Sequence, residues 1–263
     1  MFFFNKKEPV REIWEESNLG QVKGWQCTPF LKFSNVKHLF TGKSGDFNLA
    51  KHRPTVFPDK GVDKNRETLC KLLSINYENL VVLPLTHSDT VLDLKYDTKE
   101  ILSSDAVITT LTNIPLLVTY ADCVPILLYG EDKKVLGLVH AGWKGTAAKI
   151  VEKTVLAMSE NYLVRPSQIT AAIGPAIGQK NYEVDEDVAK QLSDACDSDE
   201  ILDRSGKKPK ADLKLANKLQ LEKCGVMKIF VTELDTASNH AKLYSHRIQP
   251  TRGGRQGLIA CLV

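Results

Sequence analysis

The chain has 263 residues and a formal net charge of +3, from 35 basic and 32 acidic side chains. Hydrophobic residues make up 43% and charged residues 25%, the balance of an ordinary globular protein, which excludes a disordered, collagen-like or disulfide-scaffold chain. So small a net charge gives no ground for a nucleic-acid or membrane partner, and a chain this long can bury a core without disulfides or a structural metal.

The opening run Met1-Phe2-Phe3-Phe4 is too short for a signal-peptide core, and its basic residues, Lys6 and Lys7, lie on the wrong side of it. No stretch reaches the length of a bilayer span. The six cysteines (Cys27, Cys70, Cys123, Cys196, Cys224 and Cys261) form no C-x-x-C pair. The reading is a reduced, cytoplasmic protein whose cysteines are small core residues unless a neighbour says otherwise.

Residues 1–35 are mixed and give no assignment. Residues 42–60, including Gly45-Asp46-Phe47-Asn48-Leu49, carry loop punctuation. A helix follows, with Asp63 as N-cap and Val62, Arg66, Leu69, Cys70 and Leu73 at helical spacing. Then short apolar runs predict buried strands: Leu80-Val81-Val82-Leu83, Ala106-Val107-Ile108-Thr109, Leu116-Leu117-Val118-Thr119-Tyr120 with a continuation of its sheet from Val124 to Tyr129, and Val135-Leu136-Gly137-Leu138-Val139. A helix starting near Lys144 or Thr146 has Ala147, Ile150, Val151, Val155 and Met158 on its apolar face. Next come a strand from Ile169 to Ile173, a helix with Val188, Leu192 and Cys196 on one face, and an exposed loop over 197–210. Last are a helix capped by Asp212, a strand from Lys228 to Val231, the glycine-rich basic turn Arg252-Gly253-Gly254-Arg255, and a strand from Leu258 to Val263. No linker divides the chain, so one mixed αβ domain is expected.

Three of the apolar strands end in metal-competent side chains, His87, Cys123 and His140. Ligands usually bind at strand ends in αβ sheets. If the ends meet, they form a Cys-His₂ shell of the catalytic zinc type, with a position left for water or substrate. If they do not, these are three unrelated core or surface residues. In His140-Ala141-Gly142-Trp143-Lys144-Gly145-Thr146, two glycines lie where a strand meets a helix. Glycine lets backbone approach a ligand closely, and Lys144 adds a positive charge. The alternative is a tight strand–helix turn.

Thr86-His87-Ser88, Thr119-Tyr120-Ala121-Asp122-Cys123-Val124-Pro125, His140-Ala141-Gly142-Trp143-Lys144-Gly145, Ile173-Gly174-Pro175-Ala176-Ile177-Gly178 and Tyr182-Glu183-Val184 follow one another in that order. This series resembles the YfiH-like or laccase-domain family, once described as multicopper polyphenol oxidases, from about His38 to the C-terminus. The resemblance implies an α+β fold of mixed sheets flanked by helices, layered α/β/β/α, in a single domain over residues 1–263. It implies a purine nucleoside phosphorylase with adenosine deaminase activity, acting on inosine, adenosine or methylthioadenosine, with zinc on His87, Cys123 and His140. Phosphate and purine nucleosides are then the partners of a monomer or small homo-oligomer. Asn48-Leu49, Asn65-Arg66, Ser245-His246-Arg247 and Gly254-Arg255-Gln256 resemble further family elements. They make Asn48, Arg66, Arg247 and Arg255, with Lys144, the candidate phosphate or nucleoside contacts. Asp122, beside Cys123, is the candidate proton shuttle. The sequence departs from the family pattern in having Lys144 for an arginine, Gln179-Lys180-Asn181 where many members carry two cysteines, and Leu234-Asp235-Thr236 where many carry Cys-Thr.

Other chemistries fit the same residues. His₂Cys is also a blue-copper ligand set, so a copper-dependent polyphenol oxidase is an alternative. Against a multicopper cluster, the six histidines leave only His38, His52, His240 and His246 once His87 and His140 are assigned. A Cys-His hydrolase would use Cys123 as nucleophile and His140 or His87 as base. A non-enzymatic binding protein would leave the three strand-end side chains without a purpose.

Overall fold

A computed structural model describes residues 13–44, 47–51, 61–96, 101–250 and 253–263. Residues 1–12, Gly45, Asp46, His52 and Arg252, with much of the expected loop over 42–60, lie outside the described residues. The described chain opens with an antiparallel hairpin, β1 (Trp14–Leu19) and β2 (Val22–Cys27), followed by β3 (Val36–Thr41). These are strands in a region where the sequence offers no apolar run. β1 has no buried residue, so its register comes from pairing with β2 rather than from its own pattern.

Helix α1 (Val62–Leu72) buries Val62, Leu69 and Cys70. Its N-cap is Gly61, at φ 99, and not Asp63; a glycine reaches that conformation without strain. Asp63 instead lies in the first turn and pairs with Lys51 at 2.7 Å. β4 (Val81–Val82) is a two-residue pairing, shorter than the expected run. β5 (Val91–Asp93) is half-buried and has no apolar signature, while β6 (Ala106–Thr109) and β7 (Leu116–Tyr120) match expectation. β8 (Val124–Gly130) is buried throughout but does not continue the sheet of β7. Asp122, at φ 82, turns the chain into a second sheet.

After β9 (Val135–Ala141) the single expected helix is two: α2 (Trp143–Ala147) and α3 (Ile150–Tyr162). Lys149, left-handed at φ 60, breaks it. β10 (Ile169–Ile173) and α4 (Glu186–Cys196) follow. A small hairpin, β11 (Leu202–Asp203) with β12 (Lys210–Ala211), interrupts the stretch expected to be all loop. In α5 (Leu213–Lys223) the Asp212 carboxylate accepts the Leu215 N–H at 2.9 Å, the expected cap. β13 (Lys228–Val231) and β14 (Gln256–Leu262) complete the chain.

The strands form two six-stranded mixed sheets, ordered β1-β2-β3-β14-β7-β4 and β13-β10-β8-β9-β6-β5. Period-two alternation sorts the buried residues into three layers. Leu127 and Tyr129 of β8 meet Val118 and Tyr120 of β7 between the sheets. Ile126 and Leu128 face the other way, into a core closed by Ile150, Val155 and Met158 of α3, Leu192 of α4 and Ala216 of α5. On the far side of the first sheet, Leu39, Leu117 and Ile259 pack on Leu69 and Cys70 of α1. The order is helix, sheet, sheet, helices, the expected α/β/β/α layering in one domain. Each fully buried Leu, Ile or Val is worth about 1.5–3 kcal/mol, so continuous burial along β8 and β9 makes the second sheet the rigid platform of the molecule. All six cysteines are free thiols. Among the described residues no helix is long and apolar enough to cross a membrane.

Four segments pass between the sheets, at β4 to β5, β6 to β7, β7 to β8 and β13 to β14. They carry most of the residues considered next.

Candidate functional site

His87 lies on the β4-to-β5 segment, five residues beyond the end of β4 rather than at the strand terminus, at a left-handed φ of 58. Cys123 lies on the β7-to-β8 passage, directly after the Asp122 turn. His140 is the penultimate residue of β9. Pairing of β8 with β9 puts Pro125 opposite His140 and Val124 opposite Ala141, which carries Cys123 to the level of Gly142. One ligand atom from each of His87, Cys123 and His140 lies within 4.8 Å of the others. The imidazole centroids are 5.1 Å apart. The three sequence-predicted ligands therefore converge. His87 is exposed, Cys123 half-buried and His140 buried.

A fourth residue holds two of them, His87 and His140, and sequence reasoning missed it. Asp105, fully buried just before β6, accepts the backbone N–H of Thr86 at 3.1 Å, of His87 at 3.0 Å and of Ser88 at 2.6 Å, and the Ser88 hydroxyl at 2.8 Å. Its Oδ1 also lies 2.9 Å from Nδ1 of His140. An ionised carboxylate only accepts, so Nδ1 carries a proton, and loss of the other proton leaves the lone pair that a cation needs on Nε2. Burial works against the Asp105 charge, but the hydrogen bonds from His140 and Ser88 outweigh it and hold the carboxyl well below the usual range. Burial likewise opposes ionisation of the Cys123 thiol. The charges of His140 and His87, with their hydrogen bonds, prevail and draw it toward thiolate. For His140, burial favours the neutral ring, and Cys123 and Asp105 together favour the imidazolium.

These residues fit a metal. Thiolate and two imidazoles are a zinc-competent donor set, and a carboxylate orienting the second nitrogen of a ligating histidine is the usual outer support. Gly142 supplies the space. A Cβ there would lie 3.0 Å from Nδ1 of His87 and 3.1 Å from Sγ of Cys123, so only glycine leaves the gap between them open.

Two cavities adjoin the triad, and His87, Ala121, Cys123 and His246 line both. One, of about 400 Å³, is walled by Trp143, Ile177, Tyr182 and Leu213, with Asp122, Lys144 and Arg247. The other, of about 480 Å³, is lined by Lys51, Arg66, Arg255, Tyr120 and the Leu83-Pro84-Leu85 segment, with His140. Of the predicted substrate contacts, Lys144 and Arg247 thus fall in the first and Arg66 and Arg255 in the second. The Arg247 guanidinium lies 5.2 Å from the Tyr182 ring centroid, and Lys144 Nζ lies 5.7 Å from that of Trp143.

Asn48 lines neither cavity. Its Oδ1 accepts the Arg255 N–H at 2.8 Å and the Ala50 N–H at 3.2 Å, and its Nδ2 donates to the Ala50 carbonyl at 2.8 Å. It shapes the backbone that presents Arg255. Asp122 lines the first cavity beside Cys123, because the left-handed turn breaks the strand alternation that would set them on opposite faces. Its carboxylate accepts the Thr236 hydroxyl at 2.5 Å and the Arg247 N–H at 2.7 Å, fastening the β13-to-β14 segment to the site. Besides Asp105, the site gains His246, Lys51, Trp143 and Tyr182. All but Asp105 and Lys51 belong to motifs visible in the sequence, but their aromatic rings carry no local mark of a cavity wall.

A family model described as multi-copper polyphenol oxidoreductase laccase matches residues 39–263. A protein of Deinococcus radiodurans named purine nucleoside phosphorylase is 33% identical over 234 residues, 86% of this chain and 90% of its own length. A Clostridium acetobutylicum protein of the same name is 37% identical over 189 residues, covering 68% of this chain and 75% of its own. The crystal structure of YlmD from Geobacillus stearothermophilus, 26% identical, superposes with a TM-score of 0.83 over 97% of this chain and 98% of its own. YfiH of Bacillus licheniformis, 25% identical, gives the same score over 91% and 96%. The family match takes in every residue of the site just described, and the chain belongs to this laccase-like YfiH family.

Proposed function

We propose that the protein is a zinc-dependent purine nucleoside phosphorylase that also deaminates adenosine, works in the reducing cytoplasm and acts as one catalytic domain. The observation that carries this reading is the convergence of Cys123 with two imidazoles beside cavities lined by aromatic rings and arginines, in a chain whose relatives are named purine nucleoside phosphorylase. In the reaction, a phosphate oxygen bonds to C1′ of the ribose as the bond from C1′ to the purine nitrogen breaks. The bonding pair leaves with the base, which takes up a proton. Charge develops on the ribose as an oxocarbenium ion, and arginine-held phosphate stabilises it electrostatically. Zinc on His87, Cys123 and His140 would supply a Lewis acid and a positive charge. Asp105 fixes the His140 tautomer. Asp122 accepts the Arg247 backbone N–H and, as the carboxylate lining the first cavity, is the candidate for proton transfer to substrate.

The test is chromatography of products from inosine or adenosine, with and without phosphate. Base and ribose 1-phosphate should appear only with phosphate; no phosphate-dependent base release from any purine nucleoside would overturn the reading. Conversion of adenosine to inosine in the same assay tests the deaminase activity. Cys123→Ala should lose both bound zinc, measured by elemental analysis, and phosphorolysis.

A cysteine hydrolase draws support from one observation: Cys123, His140 and Asp105 are ordered as nucleophile, base and orienting carboxylate. His87 has no part in such a triad, yet Asp105 holds its backbone beside the thiol. Full activity in zinc-free protein, abolished by iodoacetamide, would favour that reading. A multicopper oxidase is the weaker case. His38 is buried beside Phe30 and Phe40, accepts the Cys27 N–H at 3.0 Å, and is pushed down to about 4 by burial, as a neutral core residue. Among the described residues His87, Cys123 and His140 are the one set close enough to share a metal.

A further inference from the structure

We propose that the two cavities divide the substrates: inorganic phosphate binds in the Arg66–Arg255 chamber, and the nucleoside in the Trp143–Tyr182 chamber. The inference rests on the phosphorylase reading above and adds which residues meet which substrate.

The chambers differ in chemistry. Among the described residues no aspartate or glutamate lines the Arg66–Arg255 chamber, whereas Arg66, Arg255 and Lys51 do. Asp63, outside that lining, pairs with Lys51 at 2.7 Å and stands 3.8 Å from Arg66, so with the Cys123 thiolate in the lining it offsets two of the three charges and still leaves the chamber positive. Both arginines are braced. Arg66 has a side chain only 12% exposed, and its Nε donates to the Leu49 carbonyl at 2.8 Å. Arg255 donates from one terminal nitrogen to the carbonyls of Gly253 and Gly254, at 3.1 and 3.0 Å. Bracing fixes the guanidinium planes before a ligand arrives, which lowers the entropic cost of gripping a small oxyanion. Burial opposes the Arg255 charge, and the nearby negative charges of Cys123 and Asp122 support it.

The other chamber suits a flat, largely apolar ring. Trp143, Ile177, Tyr182 and Leu213 form its walls, and the Arg247 guanidinium lies over the Tyr182 ring, 5.2 Å from its centroid. Aromatic and guanidinium faces bind nucleobases by stacking. The chamber also holds Asp122, which would repel phosphate and can accept from a ribose hydroxyl or a base N–H. A nucleoside there has its ribose toward the shared wall of His87, Cys123 and His246, and C1′ then faces phosphate arriving from the cationic side.

The test measures binding without turnover, on the zinc-loaded protein. Inorganic phosphate and inosine are titrated separately by calorimetry. Arg66→Met should weaken phosphate binding about 10–100-fold, as expected for losing a charge-assisted contact, and leave inosine binding within about twofold. Unchanged inosine affinity is itself the check on folding. Arg247→Met should do the reverse. If Arg66→Met loses both ligands, Arg255→Met decides: selective loss of phosphate supports the assignment, and joint loss overturns it. Weaker phosphate binding in Arg247→Met with none in Arg66→Met also overturns it. Selective binding as stated, with no phosphorolysis in the product assay, would uphold the chambers and sink the phosphorylase reading.

Discussion

The Asp105 carboxylate meets one candidate ligand, His140, at its ring and another, His87, at its backbone N–H. One oxygen bonds both the His87 N–H and the His140 ring, so loss of this carboxylate loosens two ligands at once. In Asp105→Asn the amide has one accepting oxygen in place of two, and its N–H₂ must face other donors. Zinc affinity should fall about 10–100-fold, the usual effect of removing such a support. Competition against a chromophoric chelator measures it, with circular dichroism to confirm the fold; wild-type affinity would remove Asp105 from the site. The contrast with the ligands themselves explains what a sequence reveals at this scale. His87, Cys123 and His140 are legible because each follows or closes an apolar run and has metal chemistry of its own. Asp105 follows Ser103-Ser104 and reads as a polar residue at the head of a strand. Its role exists only through contacts 17 to 35 residues away.

Among elements, the β8–β9 pair sets the geometry. Its antiparallel register fixes Cys123 against Gly142, and α2 starts in the next residue. A methyl group at position 142 would enter the space between His87 and Cys123. Gly142→Ala should therefore lower zinc affinity at least tenfold while leaving the metal-free protein within about 1 kcal/mol of wild type, because its φ of −74 suits any residue. Chelator competition and urea denaturation of the apo-protein separate the two effects; an unchanged affinity would show that the gap is not needed. The strands of this platform were readable as apolar runs since both their faces are buried. β1 and β5 were not, because each is half-exposed or more and owes its conformation to a distant partner. The break between α2 and α3 is equally hidden: the apolar spacing continues across Lys149, and only the backbone turn there ends the first helix.

For the molecule as a whole, the two sheets press together closely enough that one position tolerates no side chain. Gly174, just past β10 in the second sheet, would place a Cβ 2.3 Å from the ring of Phe40 in the first. Gly174→Ala should cost about 1–3 kcal/mol as the sheets shift to admit it, read as a lower urea midpoint. A loss below 0.5 kcal/mol would mean the interface yields freely. The layered architecture was implied by family resemblance, not by periodicity, since no local pattern tells which sheet a strand joins; β7 and β8, three residues apart, belong to different ones. That division has a consequence for the order of events in folding. His87 and Cys123 ride on passages from one sheet to the other, and His140 on the second sheet alone. No pair of neighbouring elements carries all three ligands, so the triad assembles only once β5, β6, β8 and β9 of the second sheet have come together. Unlike a zinc finger, in which the ion seeds the structure, this chain would capture its metal late, and the cation would certify a finished second sheet.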